Sequence, residues 1–115
     1  MIPAMESALS ALGAFGKKMG VTANNIANVD TDGFKKSRAD LQEADHGVTV
    51  SISRVNTPGV PIPAEDGTGK TKESSNVDVA EELVNLKTTK NAFKANLKTI
   101  QTAGDMLGSL FDIVA

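Results

Sequence analysis

Asn28, Asp30, Asp32 and Gly33 stand at positions one, three, five and six of a calcium-binding EF-hand loop, so the first chemistry to weigh is cation coordination by carboxylate and carboxamide oxygens. The twelfth position, where such a loop needs a bidentate carboxylate, is Ala39, and the coordination shell is incomplete. The same residues have a simpler use as turn formers. Asn28 and Gly33 tolerate positive φ, and Asp30, Thr31 and Asp32 can bond their own backbone, so a helix arriving from the N-terminal side should end there in a defined turn. Gly69-Lys70-Thr71 resembles the end of a phosphate-binding loop, but Ala64 stands where the pattern needs Gly, and the flanking strand and helix are missing. His46 is the only histidine and has neither the spacing of a triad nor companions for a metal. Lys35, Lys36 and Arg38 form a short basic cluster past the turn, either a solvated face or a contact for an acidic neighbour. No catalytic residue, cofactor, metal or small-molecule substrate is expected.

Composition narrows the classes further. The 115 residues fit one domain of modest core, a size that gains from neighbours. A net charge of -2, from 12 basic and 14 acidic residues that are interspersed, gives no nucleic-acid footprint. With no cysteine, disulfides, thiolate chemistry and Cys-ligated zinc drop out together. The N-terminal residues lack the basic region of a cleavable signal peptide, and no apolar run approaches the roughly 18 residues of a membrane span, so an uncleaved, non-spanning chain is expected.

The elements that must position the turn are long helices. From Pro3, apolar and small residues recur at heptad spacing, with Ile2, Leu9, Gly16 and Ala23 on one row and Met5, Leu12, Met19 and Ile26 on the other. The C-terminal segment repeats this with Val79, Leu86, Phe93, Ile100, Leu107 and Val114, and with Leu83, Lys90, Leu97, Gly104 and Phe111. Ser75 with Asp78, or Asp78 with Glu81, has capping-box spacing at its start. The fold class expected is therefore mainly α, with the two helices in an antiparallel coiled-coil-like hairpin. One register sets Leu12 against Gly104 and Ala23 against Phe93; another, one heptad away, sets Gly16 against Phe93 and Ile26 against Leu83. The first opposes small residues to large ones, and the second does so at Gly16 and Phe93 while pairing two large residues at Ile26 and Leu83. Lys90 on the seam would snorkel to its edge. Phe15, Val84 and Leu110 fall off the seam or at its margin, which asks for helices from other chains.

The middle differs. Residues 48–53 alternate apolar and polar as a half-buried strand does, and Val60 and Ile62 interleave with Pro61 and Pro63 in extended backbone, so a small β-hairpin or paired strand is expected. Asp66 to Lys72 reads as a flexible solvated loop.

The stretch from about Ser7 to Lys36 resembles the domain that begins bacterial flagellar rod and hook proteins, with Asn25-Ile26-Ala27-Asn28 followed by Thr31, Gly33 and Phe34 at the motif spacing. Ser75 to Leu86, then Ala92-Phe93, Ala95-Asn96 and Ala103 to Leu107, resemble the C-terminal domain of the same family. Lys90, Asn91 and Lys94 stand where the family often carries Gln, Arg and an acid. The resemblance implies an N-terminal rod-type helix and turn over 1–36, a short linker with a strand or small hairpin over 37–74, and a C-terminal rod-type helix over 75–115, together one domain. The lack of a large insert makes the chain most similar to a short proximal-type rod protein. It further implies export through the flagellar type III apparatus, location in the periplasmic rod of the basal body, and assembly with itself and other axial subunits.

On this reading Asn25, Ile26, Asn28, Thr31, Gly33 and Phe34 set the turn. Ile2, Met5, Leu9, Leu12, Met19, Leu83, Leu86, Phe93, Leu97, Ile100, Leu107 and Phe111 form the helix seam and its assembly surface, and Leu97→Asp should destabilise the helix pair strongly. The competing expectation is a free-standing helical adaptor or secretion chaperone that clasps another protein's amphipathic helix.

Overall fold

A computed structural model describes residues 2–115, in the order α1 (Ile2–Ala27), β1 (Ser37–Ala44), β2 (Gly47–Arg54), β3 (Pro61–Pro63), β4 (Thr71–Glu73) and α2 (Val79–Val114). The molecule is a narrow rod of 79 × 23 × 16 Å in which the two helices lie side by side as an antiparallel pair. Asp78 caps α2: its carboxylate accepts from the Ala80 and Glu81 amides at 3.0 and 3.3 Å, with Glu81 and Glu82 in the first turn where the helix dipole favours acid.

Burial turns the expected seam by one residue on each helix. On α2 the row Leu86, Phe93, Ile100 and Leu107 is half-buried, but its companion row is Glu82, Thr89, Asn96 and Ala103, of which all but the half-buried Asn96 are buried. Leu83, Lys90, Leu97, Gly104 and Phe111 are exposed instead, Leu97 at 43% and Phe111 at 71%. On α1 the buried positions are Ala8, Ala11, Ala14, Thr22 and Asn25, with Met5, Leu12, Phe15, Met19 and Ile26 half-buried; Ile2 and Leu9 are each 65% exposed, and Gly16 and Ala23 face outward. The physical reason is that α1 packs against two elements at once. Its small residues sit where β strands and α2 both come close, and a large side chain there would hold them apart. The heptad count favours two rows of apolar residues on each helix; one row of each is half-buried, and the other, with Ile2, Leu9, Leu83, Leu97 and Phe111, lies on the outside. Lys90 does not snorkel from a seam, because it is not on one.

Lys18, Thr22 and Asn25 share one cleft with Glu82 and Asn85, which matches the register that brings Ile26 near Leu83. The other register would set Thr22 against Lys94, more than two turns further along α2. At 36 residues against 26, α2 is longer than α1 by about 15 Å. Its last turns, bearing Leu110, Phe111 and Val114, consequently lie past Ile2 and are exposed.

The middle forms two antiparallel hairpins. In the first, β1 pairs with β2 from Ser37↔Arg54 to Ala44↔Gly47 around the two residues Asp45 and His46. The alternation over 48–53 marks β2 as a strand; β1, with the sequence SRADLQEA, alternates only over 38–42 with Ala39 and Leu41 as its apolar residues, and lies within the stretch expected as a linker with a strand or small hairpin. It is a strand because β2 and α1 make it one, with Ala39 buried against the helix. In the second, β3 pairs with β4, and the expected flexible loop is an ordered turn. Asp66 accepts from the Thr68 hydroxyl at 2.6 Å and the Thr68 amide at 3.1 Å, and these bonds hold its carboxyl below the usual range. Gly69-Lys70-Thr71 lies at this hairpin rather than before a helix.

Candidate functional site

The corner after α1 is built from carboxamides. Asn25, 1% exposed, donates from Nδ2 to the Ser37 carbonyl at 2.7 Å and accepts at Oδ1 from the Ser37 amide at 2.9 Å. A carboxamide offers one donor and one acceptor in the same geometry as a peptide group, so Asn25 pairs with the first residue of β1 as a neighbouring strand would. It thereby fastens the last turn of α1 to the hairpin. Asn76 does the same from the other side: its Oδ1 accepts from the Lys36 amide at 2.7 Å, and its Nδ2 donates to the carbonyls of Val55 at 2.8 Å and Thr57 at 3.0 Å. Each side chain satisfies backbone groups that no ladder reaches.

Between them runs the turn. The Asn28 amide still bonds the Asn24 carbonyl, its Nδ2 donates to that carbonyl at 2.9 Å, and its Oδ1 accepts from the Thr31 hydroxyl at 3.1 Å. Asn28 does not take positive φ as the sequence had indicated; among the described residues only glycines do, Gly33 at +68° being the one in this corner. The Gly33 amide then donates to the Glu73 carbonyl at 2.8 Å, and the Asn76 amide to the Phe34 carbonyl at 3.2 Å, so residues 33–36 run beside 73–76. Phe34 is half-buried and shares a shallow groove with Val21 and Ile52. Ile26 is half-buried and Thr31 exposed.

The basic cluster makes specific contacts. Lys35 pairs with Glu73 at 2.7 Å, Lys36 with Glu81 at 3.0 Å, and Arg38 with Asp40 at 3.0 Å. Asp32 pairs with Lys72 at 2.6 Å, and that bond holds the Lys72 amine above its ordinary range, as the Lys35 bond holds Glu73 below its own. The EF-hand residues are therefore divided: Asn28 turns inward to Asn24 and Thr31, Asp32 turns outward to Lys72, and Ala39 lies buried in β1. His46 is an exposed hairpin-turn residue.

A second anchor holds the hairpin further along α1. The Ser10 hydroxyl donates to the Val48 carbonyl at 2.7 Å and accepts from the Val48 amide at 2.9 Å, with Gly47 set against Ser10 so closely that a Cβ there would meet Oγ at 2.6 Å. Ser10, Asn76 and the alanines of α1 escaped the sequence reading as packing residues. Asn76 could be noticed as a carboxamide one residue from a helix-start serine; Ser10 offered only a small polar residue amid a small-residue stripe.

A cleft of about 390 Å³ lies where α1, β1 and α2 meet, with Lys18 and Glu82 among its walls. Glu82 belongs to the first turn of α2, at the positive end of the helix dipole. No nucleophile and base are brought together at this point, and its lining is that of a packed polar junction. No helix among the described residues is long and apolar enough to cross a membrane.

Two family profiles match the ends of this chain. The one described as "Flagella basal body rod protein" matches residues 5–35, and the one described as "Flagellar basal body rod FlgEFG protein C-terminal" matches residues 71–113. The chain is also similar to the flagellar basal-body rod protein FlgG of Buchnera aphidicola, with 49% identity over 43 residues, which is 37% of this chain and 16% of that protein. It resembles flagellar hook-associated protein 1 of Bacillus subtilis at 38% identity over 55 residues, 48% of this chain and 11% of that one. The chain thus matches only a small part of each relative's length.

Proposed function

Because the chain belongs to the flagellar rod and hook family, a family of structural proteins, we propose that it is a subunit of the basal-body rod that assembles with copies of itself and with related axial subunits. The observation that carries the reading is the pairing of both family-matched ends into one helical hairpin that leaves one row of large apolar residues on each helix exposed. Ile2, Leu9, Leu83, Leu97 and Phe111 are not needed to hold the hairpin, and their exposure is costly in water unless a neighbour covers them. The corner from Asn25 to Phe34 sets the direction in which the hairpins leave the helix pair, so that a tube of helices can carry them on its outside. Only residues 36–70 separate the matched segments, which supports a short proximal-type subunit. Export through the flagellar type III apparatus and a periplasmic site of assembly belong to the same proposal.

Deletion of the gene in its native host tests this directly. The expected result is arrest of flagellar assembly before the hook, with the tagged protein recovered in purified basal bodies. Normal flagella in the deletion strain, with the protein held as a small oligomer on a non-flagellar client, would favour the adaptor reading and sink this one.

A further inference from the structure

The outer face of α2 carries a charge pattern that the chain itself does not answer. Lys87, Lys90, Lys94 and Lys98 follow one another at three- and four-residue steps, which puts all four on one side of the helix. All are exposed, none is in an ion pair among the described residues, and no Asp or Glu occurs between Glu82 and Asp105. Like charges at these spacings repel, and a helix face of this kind normally alternates them with acids. The opposite charge is gathered elsewhere: Asp40, Glu43 and Asp45 mark the outer half of the β1–β2 hairpin, with no basic residue from Ala39 to Asp45. Glu43 and Asp45 are exposed and unpaired among the described residues.

The two patches cannot meet within one molecule. Ser10 and Val48 fix the hairpin to α1, whereas the lysines lie on the side of α2 turned away from the Glu82, Thr89 and Ala103 row that faces the interior. We propose that the lysine row of α2 docks the acidic tip of the β1–β2 hairpin of a second copy of this chain. Each copy then offers one basic and one acidic surface on different sides, a heterologous contact that can join more than two copies, as a ring where the rotation between them closes and as an open array where it does not. This rests on the reading that copies assemble, and it names which surfaces meet.

Charge reversal on the full chain tests it, because every residue involved is exposed and the fold should survive, which circular dichroism checks. Sedimentation at low and high salt should show association of the native protein that weakens at least tenfold between about 20 and 500 mM salt, where the Debye length shrinks severalfold. K90E/K94E and E43K/D45K should each lose association alone and regain it when mixed, since each restores the complement of the other. Equal association of either variant and the native chain, or failure of the mixture, overturns the proposal. So does loss of association in K90E/K94E alone, accompanied by binding of the native lysine row to anionic vesicles or DNA, which would assign the row to a polyanion. The rod reading is judged separately: incorporation of both variants into basal bodies would sink this contact and leave that reading standing, whereas successful charge-swap association by a protein absent from basal bodies would do the reverse.

Discussion

The corner and the helix seam hold the same molecule by opposite means. At the corner, two carboxamides answer nearly every backbone group they meet, and the result is complete within one chain. Along the seam, α2 turns Glu82, Thr89, Asn96 and Ala103 inward and leaves Leu83 and Leu97 outside, so the apolar surface is only partly used. A region finished by its own hydrogen bonds is a fixed joint. A region that leaves part of its apolar surface outside is one that other helices can finish.

The largest expected effect falls on the joint. Asn25→Ala leaves the Ser37 amide and carbonyl without partners at a half-buried position, a loss of about 2–4 kcal/mol in urea unfolding. A loss below about 0.5 kcal/mol would mean that water replaces the carboxamide, and the contrast would fail. Next comes the rotation of the seam. Ile100→Asp, on the half-buried row, should cost about 2–4 kcal/mol, whereas Leu97→Asp should cost less than about 1. This revises the strong effect expected for Leu97 from the sequence, and equal losses would restore the original seam. Phe111→Ser should leave the melting temperature of the isolated chain within about 2 °C, in keeping with a surface change. Its effect should appear only as lost incorporation into basal bodies, which Western analysis of purified particles reads.

The smallest effect concerns pH. The Lys35 hydrogen bond holds Glu73 below the ordinary carboxylate range, so its stabilising share is full above that range and is lost as pH falls from there through the lowered value. Comparing melting temperatures of the native chain and Glu73→Gln, the difference should shrink on acidification. A difference that grows instead would reverse the sign of the contact.

Much of this was legible in the sequence, and the failures share a cause. Helix extents follow from heptad spacing, and the stop after Ala27 from Asn28, Thr31 and Gly33, because those signals are local. The faces were misjudged because counting large apolar residues assumes that the heaviest row is the buried one. Here Ala8, Ala11 and Ala14 are buried because two neighbours approach α1 together, a fact of tertiary structure. Strand β1 is weakly marked for a similar reason: Ala39 and Leu41 alternate with polar residues over 38–42 only, and its partner and helix supply the rest of its order. Asn25 was placed in the turn by its motif, but that its amide would read the backbone of Ser37 depended on a contact twelve residues away.

The difference in loop length between the two carboxamide ties sets an order in time. Asn25 reaches 12 residues along the chain and Asn76 reaches back 40, so the second closure carries the larger entropic cost. On that cost alone the end of α1 and its hairpin are expected to organise first, and the tie that brings in α2 later. Stopped-flow measurements on Asn76→Ala should show faster unfolding with little change in refolding, and a slowed refolding arm would place that tie in the nucleus instead.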